Sequence, residues 1–187
     1  MAAINRGQIK LLLILALFVA PFLLADLAFR YWKPDRFGNY GELVEATQLQ
    51  PAGLQAPDGT VFDLASLRGK WVLLLVQAGA CDAACERNLY LMRQVRQATG
   101  REQGRIERLL LAPQALPGAL GAEHAGLRQV RYPDWAALGP QLAGAKGVGR
   151  IHLVDPLGRL VLRYPPEPDG RRMLKDLQRL LKYSQIG

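Results

Sequence analysis

Residues 11–25 read LLLILALFVAPFLLA, 15 apolar residues without a break. Asp26 interrupts the run, and Leu27, Ala28 and Phe29 continue it. A membrane-spanning helix needs about 20 predominantly apolar residues. Residues 11–29 meet that requirement with Asp26 near an interface, where a charge costs little. Tyr31 and Trp32 come immediately after, as an interfacial aromatic belt would. Arg6 and Lys10 precede the run with no acid between them, which predicts a cytoplasmic N-terminus. A cleaved signal peptide is the competing reading. Cutting after Ala25 places Leu23 three residues upstream, and cutting after Ala28 places Asp26 there; neither is the small residue such a site needs. The expected organisation is a cytoplasmic N-terminus at 1–10, a transmembrane anchor at 11–29, a membrane-proximal linker at 30–50 and an exported domain at 51–187. Membrane lipid is then a partner through the anchor.

Half of the 187 residues are hydrophobic and 21% are charged, the balance of a folded chain. The stretch beyond the anchor is long enough for one domain with its own core. The formal net charge is +8, yet Lys and Arg are scattered among acids and do not alternate with aromatics. That pattern excludes nucleic acid as the expected partner and suits a solvated basic face near anionic lipid.

Ala56-Pro57-Asp58-Gly59 has strong turn chemistry, and residues 60–64 alternate like a short strand. Residues 71–76, WVLLLV, form a continuous apolar run of strand length, as in a buried parallel sheet. A helix is expected over 82–99, with Ala84, Leu89, Met92 and Val95 on its apolar stripe and Gly100 as its stop. Residues 105–112 read as a second buried strand. Residues 118–126 are rich in Gly and Ala and predict nothing regular. Asp134 is a candidate N-cap for a short helix to Leu142. Residues 151–154 and 159–163 flank Asp155-Pro156-Leu157-Gly158 as a β-hairpin. An amphipathic helix over 170–183 buries Met173, Leu174, Leu177, Leu180 and Leu181. The order predicts an α/β fold with a parallel core and an antiparallel hairpin.

Cys81 and Cys85 are the only cysteines. They follow a strand and open a helix, where four residues turn about 400° and bring both thiols to one face. Ideal helix geometry puts the two Cα atoms roughly 6 Å apart, within disulfide range. Free N–H groups at a helix N-terminus favour a thiolate, which is both nucleophile and metal ligand. The pair can therefore exchange disulfides, hold a soft metal, or do both. A structural staple is the plainer alternative, although closing so short a loop gains little. His124 and His152 are the only candidate imidazoles for a third ligand; a solvated loop residue and a packed strand residue are their commoner roles. Met92 falls on the helix stripe and reads as core. Asp82 and Glu86 fit the usual acidic first turn.

The stretch GTVFDLASLRGKWVLLLV, with a loop and CDAAC after it, resembles the thioredoxin-like superfamily. The three-residue gap between the cysteines is similar to the Sco/SenC branch, and IHLVDPLGRLVLRY resembles the hairpin that ends those domains. CDAACERNLYLMRQVR and MLKDLQRLLKYSQIG resemble membrane-anchored proteins of proteobacterial cytochrome c oxidase gene clusters. The resemblance implies a thioredoxin-like fold with a central mixed sheet, preceded by one N-terminal transmembrane helix. It implies a domain in the periplasm of a bacterium, on a single inner-membrane anchor. The implied function is assembly of the copper centre of cytochrome c oxidase, by copper handling or by keeping its cysteines reduced. Oxidase subunits or other assembly factors would be the partners. Cys81 and Cys85 match the family's two copper-binding cysteines. Gly147 stands where Sco proteins have their copper-binding histidine, and Gly149 where reducing thioredoxin-like proteins keep a cis-proline. A general periplasmic thiol–disulfide oxidoreductase and a non-catalytic scaffold for an oxidase subunit are the alternative readings.

Overall fold

The computed structural model describes residues 5–31, 38–114, 122–132, 134–142, 147–184 and 186. Two compact units result, Met1–Gly38 and Asn39–Gly187. Arg30 and Tyr31 of the expected linker belong to the end of the first helix; residues 32–37, with Trp32 of the expected aromatic belt, lie outside the described set.

The first unit holds one helix, α1 (Arg6–Tyr31). Within its stretch Arg6–Ala28 the most apolar 18-residue window has a mean hydropathy of 2.6 and buries none of its residues. At 1.5 Å per residue the stretch reaches about 35 Å, enough for a hydrocarbon layer of about 30 Å. Asp26 pairs with Arg30 one turn on, at 2.9 Å. The helix is thus a candidate span whose charged residues, Arg6 and Lys10 before the apolar run and Asp26 and Arg30 after it, lie at its two ends.

In the second unit, six described strands form one mixed sheet. They are β1 (Glu42–Gln48), β2 (Trp71–Val76), β3 (Ile106–Ala112), β4 (Leu127–Arg131), β5 (Ile151–Val154) and β6 (Arg159–Arg163), in the order β1-β6-β5-β2-β3-β4. β2 runs parallel to β3 and antiparallel to β5, and β3 runs parallel to β4. β2 is buried along its whole length. Its apolar run is unbroken because both faces of the sheet are covered.

Alternation sends Trp71, Leu73 and Leu75 to one face, under α2 (Ala83–Ala98) and the C-terminal helix. There they meet Leu89, Met92, Met173 and Leu177. Val72, Leu74 and Val76 point to the other face, against Leu54, Leu67, Leu138 and Leu142. The short helix α3 (Trp135–Leu138) is capped by Asp134, whose carboxylate accepts from the Ala136 N–H at 2.8 Å. The C-terminal helix is α4 (Gly170–Tyr183).

Four expectations change. The strand expected at 60–64 is an isolated bridge between Gln55 and Val61, with a 3-10 turn after it at Leu64–Leu67. Asp63 starts that turn by accepting from the Ala65 N–H. The stretch 30–50, expected as linker, contains β1, which pairs antiparallel with β6; backbone bonds and the Arg163–Glu42 ion pair at 2.8 Å hold it, not an apolar pattern. Ala84 is exposed and Cys85 takes its place on the buried stripe of α2. On α4, Leu174 and Leu180 are only half-buried, while Asp176 is buried.

Candidate functional site

β2 ends at Val76, and the chain crosses a short loop to Cys81. Gln77 holds the loop from two sides: its N–H donates to Leu111 and its carbonyl accepts from the Tyr132 hydroxyl at 2.7 Å. Asp82 is then the N-cap of α2, its carboxylate accepting from the Cys85 N–H at 2.8 Å. An Asp here satisfies an N–H that the helix cannot. Cys81 therefore sits just before the cap and Cys85 inside the first turn.

The two sulfurs are joined in a disulfide, with Cα atoms 5.2 Å apart. Their surroundings are unequal. Cys85 is 2% exposed and packs into the core beneath α2, whereas Cys81 is partly exposed at its margin. The loop residues Ala78, Gly79 and Ala80 beside Cys81 are exposed. Glu86 is also exposed, in the first turn.

A second segment is fastened to this corner. The Gly149 N–H donates to Val76 at 2.8 Å, and Asn88 Nδ2 donates to the Gly149 carbonyl at 3.1 Å. Gly149 has φ +70°, where an L side chain is strained. Asn88, one turn after Cys85, thus ties the approach to β5 to the helix that carries Cys85. The sequence signal for Asn88 is a polar residue inside an apolar stripe. Tyr132 gives no such signal.

The two histidines do not join the cysteines. His152 lies in β5 opposite Leu74, and alternation puts it with Val154 on the face away from Cys85. It is fully buried, and its Nε2 lies 2.8 Å from the Gly147 carbonyl, to which it donates as the Nε2–H tautomer. Burial pushes its pKa down to about 4; the Gly147 bond opposes this, and Arg163 and Arg150 add to it. The candidate ligand role for His152 is therefore replaced by a structural one: strand alternation aims it into the opposite core. His124 is 5% exposed, just before β4, on the flank of α2, with no partner at Nδ1. Burial, then the neighbouring Arg108, lowers its pKa. Met92 is fully buried core.

Among the described residues, no three His, Cys, Asp or Glu side chains group as a metal site. Nor does position 147 admit the histidine of a Sco-type set. A Cβ there would collide with the Leu142 carbonyl oxygen. The donor set at this corner is two sulfurs. Two thiolates suit a soft cation such as Cu(I) and lack the imidazole that favours Cu(II) or Zn.

A mixed sheet with flanking helices, and a cysteine pair where a strand passes into a helix, define a thioredoxin-like protein. The family model described as "Transmembrane-like, thioredoxin-like, C-terminal domain" matches residues 71–184. That is more than half of the chain, and the chain belongs to this family. No curated protein sequence matches it.

Solved structures with the same fold include yeast Sco1, 14% identical over 76% of this chain and 96% of that one, with a TM-score of 0.56. Copper-bound ScoI of Bradyrhizobium japonicum is 18% identical over 74% and 99%, with a TM-score of 0.52. A thiol:disulfide interchange protein from Bacteroides sp. is 15% identical over 78% and 91%, with a TM-score of 0.54. The expected resemblance to Sco/SenC proteins thus appears among the structural neighbours. At these identities the likeness is one of fold.

Proposed function

We propose that this chain is a membrane-tethered thiol–disulfide module that serves cytochrome c oxidase assembly by keeping the cysteines of the oxidase copper site reduced. Residues 11–29 would be the anchor and the N-terminus cytoplasmic. The domain, from about Asn39, would stand in the periplasm. The observation that carries the reading is the unequal burial of the two sulfurs at the start of α2. One sulfur is open to attack and the other is shielded behind it, as stepwise exchange needs.

In that exchange the Cys81 thiolate attacks one sulfur of a client disulfide. A Cys81–client bond forms, the client S–S bond breaks, and the released client thiolate takes a proton. The Cys85 thiolate then attacks the Cys81 sulfur. The Cys81–Cys85 bond forms and the second client thiolate leaves. Two electrons pass to the client, and a dithiol donor on the same side of the membrane resets the pair. The free N–H groups at the N-terminus of α2 favour the thiolates, while the Asp82 carboxylate, already bonded to the Cys85 N–H, works against them.

Copper enters this reading as cargo. The reduced pair would hold Cu(I) between two sulfurs, a weaker grip than a set that includes a histidine. Any transfer would use the same open side of Cys81.

The test uses the reduced full-length protein in detergent and a disulfide-bonded peptide carrying the oxidase copper-site cysteines. Cys85→Ser is expected to stop at a covalent Cys81–peptide adduct, visible by mass. Cys81→Ser is expected to react no faster than a free thiol in solution. Equal adduct formation by both variants, or none by Cys85→Ser, rules the mechanism out.

A further inference from the structure

We propose that a groove on the flank of α2 docks a cationic, apolar-bearing stretch of the client polypeptide beside its cysteine. The inference rests on the exchange reading above and names the chemistry of the client. The groove has a volume of about 710 Å³ and begins at Ala84, the residue before Cys85. It continues past Asn88 to Leu91. From Ala84 to Leu91 the helix rises about 10.5 Å, the length of roughly three residues of extended chain. A client whose cysteine meets Cys81 can therefore lay about three to five neighbouring residues along it.

The charge of the lining opposes that of the whole chain. The chain carries a formal +8, but the residues lining the groove include Glu86, Glu123 and Glu167 and one cation, Arg87; Arg93 stands beside the wall and donates to the Glu123 carbonyl at 2.9 Å. Among the described residues none of these three carboxylates is in an ion pair. Its apolar walls are exposed as well: Tyr90 is 57% exposed, and Pro166 and Pro168 flank Glu167. Proline rings have little side-chain freedom to lose on binding.

His124 also forms part of the wall and is 5% exposed. The three carboxylates repel anionic headgroups, so a lipid surface is not the occupant. A basic peptide with an aromatic or aliphatic residue fits both charge and walls.

The probes are two ten-residue peptides with a central cysteine in a mixed disulfide with a small thiol. One carries Lys and Trp after the cysteine, the other Ser and Gly. Rates of exchange with the reduced full-length protein in detergent are expected to favour the cationic peptide by about tenfold at low salt, the size two or three exposed charge pairs supply. The ratio should fall toward one in roughly 0.5 M salt and in Glu123→Gln/Glu167→Gln. Glu45→Gln, on β1, should keep it. A ratio near one in wild type, or one that survives the double substitution in a protein of unchanged melting temperature, overturns the proposal.

The same peptides with cysteine replaced by serine, tracked by fluorescence anisotropy, separate the two readings. Salt-sensitive binding of the cationic peptide without any exchange chemistry keeps the groove and removes the exchange mechanism. Exchange without a charge preference does the reverse. Binding of anionic vesicles that competes with the peptide would also sink the assignment.

Discussion

Asp176→Ala is expected to destabilise the domain by roughly 3–4 kcal/mol, since two backbone N–H groups lose a charged acceptor. Asp176 is 3% exposed on α4, on a helix face otherwise lined by Met173, Leu177 and Leu181. Its carboxylate accepts from the Tyr40 N–H with both oxygens at 2.9 Å, and from the Gly41 N–H at 2.9 Å. These residues lead into β1. Tyr40 is held further by its hydroxyl, which accepts from the Asp169 N–H at 3.0 Å, and by the Arg172 guanidinium 4.1 Å from its ring centroid. Removing the carboxylate strands the donors where water reaches them poorly. Asp176→Asn keeps one acceptor oxygen and should cost about half as much. Urea midpoints of the full chain in detergent measure both. Hydrogen exchange should show the loss first in residues 40–48. A cost below about 1 kcal/mol for Asp176→Ala would mean that β1 is held by its pairing with β6 alone.

Acid should weaken the fold through His152. Its pKa in the folded chain is about 4, against 6.5 for a free imidazole. The unfolded chain therefore binds a proton that the folded chain refuses, and stability rises with pH between those values. The contribution is complete above about pH 6.5. It is lost progressively as the pH falls toward 4 and amounts to roughly 3 kcal/mol. His152→Gln can keep the donor to the Gly147 carbonyl and has nothing to titrate. The stability difference between His152→Gln and wild type should move by about 3 kcal/mol in favour of the variant from pH 7 to pH 4. Carboxylates that titrate near the lower end act in both proteins and cancel. A difference independent of pH would mean that the imidazole is hydrated in the folded chain.

The parts of this fold that announce themselves in the sequence are those where side-chain pattern and burial coincide. WVLLLV is a central strand because both of its faces are covered. Asp155-Pro156-Leu157-Gly158 makes the hairpin turn, its Gly158 N–H returning to the Asp155 carbonyl at 2.9 Å with φ +84°. Cys81 and Cys85 fall at the passage from strand to helix for the same reason. β1 is different: ELVEATQ is largely exposed, and its place depends on backbone pairing with a strand more than a hundred residues away. β4 lies in an equally weak pattern, at the edge of the sheet. His152 shows a further limit. A buried strand residue can face either layer, and only the register against Leu74 decides which. The cysteines alone therefore define the chemistry that the sequence suggests, and burial ranks them as outer and inner.

The central claim is that Cys81 and Cys85 form an exchange pair and not a staple. The measurement that tests it most directly is the reduction potential of the pair, equilibrated in thiol redox buffers and read by mass after alkylation. The partly exposed Cys81 and the N-terminus of α2 place it above the range of structural disulfides. The Asp82 carboxylate in the cap keeps it well below that of a strong oxidant. A reversible two-electron couple between roughly −200 and −280 mV is expected, and Asp82→Asn should move it upward. A potential below about −300 mV, unmoved by Asp82→Asn, would make the bond a structural staple and contradict the proposed function.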